Sequence, residues 1–157
     1  PKGRRVLIIT SSGGAGIMAA DTIDRLNLEL PSISDNAEKR LRQALPSYCV
    51  FDNPFDVTTT TVESFQLVIE ENLEDENIDA FLPIFADPLP RVAEAVKTVS
   101  MKTDKPIVVC YVGGGKVEDI EKEKMHEMGI PVFSTPEKAV TALYALVRYN
   151  ELQSNRI

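Results

Sequence analysis

The sequence predicts one doubly wound α/β domain built on a parallel sheet. Uninterrupted apolar runs at residues 6–9, 80–85 and 107–112 are typical of strands that are covered on both faces. Segments with helical spacing of apolar residues alternate with these runs, which favours right-handed crossovers between parallel strands. A chain of 157 residues suits one core and is too short for two ordinary domains. With five strands, the flavodoxin-like order 2-1-3-4-5 with helices on both faces is the simplest arrangement.

The chain begins with a charged segment, a strand and a helix. We expect residues 1–5 to be a linker remnant, residues 6–152 to form the domain and residues 153–157 to be a tail. The first strand leads into a glycine-rich turn, and apolar residues at positions 17, 18, 20, 23 and 26 then follow helical spacing. Residues 28–31 are predicted as a short edge strand, because proline is tolerated at a sheet edge.

Two capping signatures predict the next two helices. Asp35 and Glu38 have the spacing of a capping box, and so do Thr60 and Glu63. Residues 49–59, which lie between these helices, are predicted as a loop.

The second half of the chain alternates three strands with three helices. The strands are predicted at residues 80–85, 107–112 and 130–133, and the helices are predicted to begin near Arg91, Val117 and Pro136. The last helix has the strongest signals. Thr135 supplies an N-cap, Pro136 suits the first helical position and Glu137 places an acid in the first turn, so we expect this helix to run through Tyr149.

The composition excludes several classes of partner. The chain has 17 Lys and Arg against 24 Asp and Glu, a formal charge of -7, so no basic surface favours nucleic acid or an anionic membrane. No stretch has the roughly 18 apolar residues of a membrane helix, and we expect a cytoplasmic protein. Cys49 and Cys110 stand in apolar runs and are predicted to be inert core residues, and no metal site is predicted. Because the net charge is negative, backbone amides and helix dipoles rather than lysines would have to hold an anionic ligand.

A glycine-rich turn follows the first strand and is the main candidate site. Its residues are Ser11, Ser12, Gly13, Gly14, Ala15 and Gly16. Without Cβ atoms, glycines let the backbone approach an oxyanion closely, and the following helix directs free N–H groups and partial positive charge at it. In a sheet of this order, ligands collect where the strand order reverses, beside the first strand. We predict that these six residues bind phosphate, although the same glycines could serve only to make a tight turn.

Known phosphate-binding motifs do not describe this turn. It lacks the G-x-G-x-x-G spacing of a dinucleotide-binding turn, and it lacks the Gly-Lys-Ser/Thr end of a P-loop. Gly115-Lys116 resembles a P-loop only superficially, because Val117 takes the hydroxyl position. Thr10-Ser11-Ser12 stands where a receiver domain would need its acidic cluster.

Other residues at the same sheet edge are candidates to line the site. They are Asn53, Pro54, Asp56, Thr58, Gly113 and Gly114. Asn53 and Asp56 have an equal structural alternative, because they could shape the turn around Pro54 instead.

The single histidine, His126, is predicted to be a solvated surface residue. On the helix that begins near Val117, it projects away from the apolar side formed by Val117, Ile120, Met125 and Met128. The charged run at residues 118–124 is predicted to be a solvated face of the same helix.

Taken in order, the motifs resemble those of the ADP-forming acyl-CoA synthetases, also called NDP-forming, which are relatives of succinyl-CoA synthetase. The similarity covers nearly the whole chain and matches the second flavodoxin-like, succinyl-CoA-ligase-type domain of the alpha part. The residues that carry it are Ser-Gly-Gly-Ala-Gly-Ile from Ser12, Ala20-Asp21, Leu28-Glu29-Leu30, Leu45-Pro46, Asn53-Pro54-Phe55-Asp56-Val57-Thr58, Val112-Gly113-Gly114, Gly129-Ile130-Pro131-Val132, Pro136-Glu137-Lys138-Ala139-Val140 and Leu146-Val147-Arg148-Tyr149.

The resemblance implies an enzyme that interconverts acyl-CoA, ADP and phosphate with free acid, CoA and ATP through an acyl phosphate and a phosphohistidine. In that family, two helices aim their N-termini at the phosphorylated histidine, and Gly13 to Gly16 match the start of one of them. The histidine belongs to a Ser-His-Thr-Gly-type segment of another flavodoxin-like domain, the CoA site to a Rossmann domain and the nucleotide site to an ATP-grasp part. CoA, ADP or ATP and Mg²⁺ are thus implied for the whole enzyme, and none for this domain alone.

None of those three segments occurs in this sequence, so we expect the isolated domain to lack ligase activity. Two other functions stay open. Similar modules fused to lysine acyltransferases bind effectors and regulate, and a third interpretation is a non-catalytic interaction domain with an empty glycine turn.

Overall fold

The computed structural model describes residues 1–58 and 61–154, which contain five strands and six helices. The strands are β1 (Val6–Thr10), β2 (Phe55–Asp56), β3 (Ala80–Phe85), β4 (Val109–Tyr111) and β5 (Val132–Phe133). The helices are α1 (Gly13–Arg25), α2 (Asp35–Ala44), α3 (Val62–Glu70), α4 (Val92–Ser100), α5 (Lys116–Glu127) and α6 (Pro136–Ser154). All strand pairs are parallel and the order is β2-β1-β3-β4-β5, which confirms the flavodoxin-like prediction.

Apolar side chains of the central strands point alternately to the two faces of the sheet, and each face has its own core. On one face, Leu7 and Ile9 of β1 belong to a cluster that also contains residues of α2, α3, α4 and α5. On the other face, Val6 and Ile8 pack with residues of α1 and α6. All five residues of β1 are buried, as expected of a strand between two helical layers.

The edge strand beside β1 differs from the prediction. Residues 28–31 contribute only one isolated bridge, between Glu29 and Arg5, and β2 instead lies inside the segment predicted as a loop. The register pairs Ile9 with Phe55 and Thr10 with Asp56. The physical reason is that β2 has only two residues, which is too short to produce an apolar run or an alternation in the sequence.

The N-caps of α2 and α3 are Ser34 and Thr61, and each differs by one position from the predicted cap. The cap of α2 is Ser34, whose hydroxyl oxygen accepts a hydrogen bond from the Ala37 amide at 3.3 Å, so Asp35 is the first helical residue rather than the cap. α6 begins at Pro136, as predicted. The predicted cap at Thr60 and the last three residues of the predicted tail lie outside the described residues.

Both cysteines are buried, as the sequence predicts. Cys49 is 6% exposed and Cys110 is fully buried in the core between β4 and α6. Burial raises the pKa of Cys110 to about 12, so its thiol stays protonated at neutral pH.

At the start of the chain, Arg5 contacts the folded domain. Its guanidinium pairs with the buried Asp79 carboxylate at 2.8 Å, and its backbone amide donates to the same carboxylate at 3.0 Å. Arg4 forms an ion pair with Glu151 of α6 at 2.6 Å. These contacts join the segment before β1 to the residue that precedes β3 and to the last helix. The bounds of the domain stay a prediction.

Candidate functional site

The glycine-rich turn lies at the carboxyl end of β1, where the strand order reverses. β1 stands between β2 and β3, and Thr10 at its end pairs with Asp56 on one side and Ile84 on the other. This crevice is where open α/β sheets place their ligands. The helix that leaves it, α1, has 13 residues, so a full helix dipole points at the crevice.

Two backbone amides at the start of α1 have no hydrogen-bond acceptor within the part of the chain that the structure describes. Ser12 is the N-cap, and its carbonyl accepts from the Gly16 amide at 3.0 Å. Its hydroxyl lies 3.5 Å from the Ala15 amide, which is a long and weak cap. The amides of Gly13 and Gly14 have no acceptor among the described residues, and both glycines are exposed. The helix therefore offers two free donors to solvent.

Ser11 joins the turn to the neighbouring strand. Its hydroxyl oxygen accepts from the Ala86 amide at 3.2 Å, and its own amide donates to the Ile84 carbonyl at 3.3 Å. A hydroxyl that accepts one bond can still donate another, so this contact leaves Ser11 a donor for a ligand.

Two of the predicted lining residues lie against the glycine turn. A Cβ atom on Gly16 would lie 3.2 Å from Pro54 Cβ, and a Cβ atom on Gly13 would lie 3.4 Å from Asp56 Oδ2. The other carboxylate oxygen of Asp56 accepts from the amide and hydroxyl of Thr58 at 2.8 and 2.9 Å. The segment that contains β2 thus forms one wall beside the turn, and Thr58 holds the Asp56 carboxyl group in it.

Asn53 is engaged elsewhere. Its side chain bonds the backbone of β1 at Val6 and Ile8, at the amino-terminal side of the strand, and so does not extend toward the turn. In this structure Asn53 completes the sheet edge.

The second glycine turn, after β4, is covered by a carboxyl group. Gly113 has a φ of 110°, a value that favours glycine, and its carbonyl accepts from Lys122 Nζ at 3.0 Å. The carboxyl group of Glu118, a residue 9% exposed, lies over the turn: a Cβ atom on Gly115 would fall 2.5 Å from its Oε2. Gly114 is exposed, with open space where a side chain would stand. Gly113 and Gly114 therefore lie at the predicted sheet edge, beside a negative group.

The prediction that residues 118–124 are solvated is wrong for Glu118 and Glu121. Glu121 is 2% exposed, accepts from the Ala93 amide at 2.9 Å and pairs with Lys124 Nζ at 3.0 Å. The Ala93 amide in the first turn of α4 stabilises this buried carboxylate, and Ile120 is 44% exposed instead. The local periodicity does not predict that Glu121 is buried and Ile120 exposed, because the amide that Glu121 binds is 28 residues away. His126 is exposed in the last turn of α5, as predicted.

Within residues 1–58 and 61–154, no group of three or more His, Cys, Asp or Glu side chains could hold a metal ion. In the same ranges, no helix has both the length and the apolar character needed to cross a membrane.

The fold and this edge define a flavodoxin-like α/β domain with an open helix N-terminus at its strand switch point. The chain belongs to the Ligase-CoA domain family, which matches residues 6–155. This membership and the relatives below confirm the resemblance to ADP-forming acyl-CoA synthetases.

Three similar proteins are archaeal. The chain is 33% identical to the alpha subunit of ADP-forming acetate–CoA ligase II from Pyrococcus furiosus, over 94% of this chain and 34% of that subunit. It is 32% identical to ADP-forming acetate–CoA ligase I from Archaeoglobus fulgidus, over 98% of this chain and 22% of that enzyme. The crystal structure of PH0766 from Pyrococcus horikoshii OT3 matches with a TM-score of 0.86 at 29% identity, over 94% of this chain and 36% of that one.

The chain therefore spans well under half the length of the relatives that it matches. Because the two named relatives are ligases, the alternative of a regulatory acyltransferase module is not favoured.

Proposed function

We propose that this chain is one domain of an ADP-forming acyl-CoA synthetase and that α1 stabilises the phosphoryl group during its transfer. The whole enzyme would interconvert acyl-CoA, ADP and phosphate with free acid, CoA and ATP. The observation that carries the proposal is that Gly13 and Gly14, exposed at the strand switch point, have amides with no acceptor among residues 1–58 and 61–154. Family membership supports the same reaction class.

Preorganised donors explain why such a turn suits phosphoryl transfer. The two amides and the dipole of α1, equivalent to about half a positive charge, are already aimed before charge develops on the phosphoryl oxygens. Donors that need no reorientation stabilise a transition state more than donors that must first be ordered. The hydroxyl of Ser11 adds a third donor at the β3 side of the turn.

The phosphorylated nucleophile would come from another domain. His126 lies in the last turn of α5, a helix of 12 residues that begins at the same sheet edge as the glycine turn and runs about 18 Å away from it. His126 therefore cannot meet a phosphoryl group at Gly13. The proposed partners are the CoA-binding Rossmann domain, the histidine-bearing flavodoxin-like domain and the ATP-grasp part, so this domain alone would be inactive.

Local charge keeps the intrinsic affinity for phosphate low. The Asp56 carboxylate lies beside Gly13, and the chain carries a formal charge of -7. Long-range attraction is therefore absent, and short-range amide donation has to offset local repulsion. Such a turn suits a group that another domain delivers, rather than capture of free phosphate from dilute solution.

The test is a titration of the ¹⁵N-labelled chain with inorganic phosphate, followed by amide chemical shifts. We expect saturable shifts at Gly13 and Gly14, with chloride at matched ionic strength as the control. Shifts confined to other residues, or equal shifts with chloride, would reject the proposal and favour an interaction domain with an empty turn.

A further inference from the structure

We propose that Thr10 is a positioning residue for the glycine turn, acting through Ser12 to hold the amides of Gly13 and Gly14 outward. This inference rests on the proposed function, and Thr10 itself touches no phosphoryl group. It was not among the site residues predicted from the sequence, because its role depends on where its hydroxyl points.

The Thr10 hydroxyl forms two hydrogen bonds with the backbone of Ser12. Oγ1 donates to the Ser12 carbonyl at 2.8 Å and accepts from the Ser12 amide at 2.9 Å. Thr10 is completely buried, so water does not compete for these bonds. The same Ser12 carbonyl accepts from the Gly16 amide at 3.0 Å, the bond that begins α1. The hydroxyl thus acts on the atom that sets the direction of the first helical turn.

The sheet fixes the position of this hydroxyl. Thr10 is held between β2 and β3 by its pairing with Asp56 and Ile84, and its carbonyl accepts from the Val57 amide at 2.9 Å. The backbone of Ser12 is thereby tied to a strand inside the sheet, although two glycines, the residues that restrict the backbone least, follow it.

The two branches of the Thr10 side chain have separable tasks. The hydroxyl orients Ser12, while the methyl group Cγ2 lies 3.1 Å from the point where a Cβ atom on Gly16 would stand. The methyl group therefore packs against the start of α1 without any hydrogen bond. This separation makes two substitutions informative: Thr10→Val keeps the shape and removes the hydroxyl, and Thr10→Ser keeps the hydroxyl and removes the methyl group.

The experiment compares both variants with the parent chain in the phosphate titration, together with hydrogen exchange at the Ser12 amide. Thr10→Val loses both hydrogen bonds to Ser12, so we expect it to raise the Kd for inorganic phosphate about tenfold and to speed hydrogen exchange at the Ser12 amide. Thr10→Ser should keep the Kd within about twofold and protect Ser12, even where its thermal stability falls. A purely structural role would instead make affinity follow stability in both variants.

Two results would overturn the inference: parental affinity and parental Ser12 protection in Thr10→Val, or equal losses in Thr10→Val and Thr10→Ser. If Thr10→Val does not fold, Thr10→Cys replaces it, because a thiol of similar size is a much weaker donor and acceptor. A parent chain with no phosphate response rejects the proposed function. In that case, hydrogen exchange at the Ser12 amide shows whether Thr10 orders the turn.

Discussion

The side-chain carbonyl of Asn53 accepts a hydrogen bond from the backbone amide of Ile8 at 3.1 Å. Its amide nitrogen donates to the carbonyls of Val6 at 2.8 Å and Pro31 at 2.9 Å. The Asn53 side chain thus stands beside β1 where β2, with its two residues, does not reach. It satisfies strand groups that would otherwise lose a partner at the sheet edge.

Replacing Asn53 by Ala should lower the free energy of unfolding by about 2–4 kcal/mol, because three hydrogen bonds disappear and strand groups are left unpaired. Urea denaturation measures the change. The control is Asn77→Ala, since Asn77 is exposed and its side chain accepts one long bond of 3.4 Å from Arg5. Equal effects of the two substitutions would contradict this role for Asn53.

Gly14→Asp should separate stability from phosphate binding. Gly14 has open space around it, because a Cβ atom at this position would have only Ser12 Oγ near it, at 4.0 Å, so a side chain fits. An acid in the first turn favours the helix by about 0.3–1 kcal/mol, yet it repels an anion at the same amides. We expect unchanged or higher stability together with loss of the phosphate-induced shifts.

The matched neutral variant is Gly14→Asn, which has the same size and should retain most of the phosphate response. In an intact synthetase that contains this domain, Gly14→Asp should also slow phosphohistidine formation. Parental rates of phosphohistidine formation in Gly14→Asp would reject the electrostatic role of α1.

Asp79 should make stability depend on acid pH. Burial raises the pKa of its carboxyl group, but the hydrogen bonds and charge of Arg5 outweigh this and leave the pKa below the ordinary value of 3.8. A depressed folded pKa means that the stabilisation is complete above the unfolded pKa and is lost as pH falls through the folded value. Asp79→Asn should therefore be less stable than the parent at pH 7, and the difference should shrink below about pH 4.

Urea denaturation at pH 7 and at pH 3 tests this expectation, with the exposed Asp104 replaced by Asn as the control. A difference between Asp79→Asn and the parent that stays constant over this range would show that the Arg5 pair contributes nothing to the acid dependence.

Tyr111→Phe should destabilise the loop between β3 and α4. The buried Tyr111 hydroxyl accepts from the Leu89 amide at 2.8 Å and lies 2.9 Å from the Leu89 carbonyl and 3.0 Å from the Asp87 carbonyl. Removing it takes one acceptor from the Leu89 amide, which keeps its bond to the Asp87 carbonyl at 2.8 Å, and takes the hydroxyl donor from the two carbonyls. Each lost hydrogen bond costs about 0.5–1.5 kcal/mol. Tyr149→Phe is the control, because Tyr149 is 65% exposed. Thermal unfolding should distinguish the two, and similar melting temperatures would contradict the prediction.

The central strands and most helices could be predicted because their signals are local. The apolar run of β3 and the Thr135-Pro136 start of α6 each specify an element within a few residues. β2 could not be predicted, since the pairing of Phe55 depends on where β1 lies and on the Asn53 side chain.

The same distinction applies to the candidate site. The glycine turn could be located from the sequence, because glycines that directly follow a strand are a local signal. The burial of Glu121 and the two hydrogen bonds between Thr10 and Ser12 could not be predicted. Each depends on the direction of a side chain toward a backbone group.

The position of Glu118 over the second glycine turn affects the whole carboxyl edge of the sheet. A dianion that approaches this edge meets the Glu118 carboxyl group beside β4, and beside β1 it meets the amides of Gly13 and Gly14 with the Asp56 carboxyl group next to them. The balance of repulsion and amide donation at these two places determines where along the edge the dianion binds. Glu118→Gln would remove the repulsion beside β4 and let the anion bind at more positions along the edge, without changing any residue of the turn after β1.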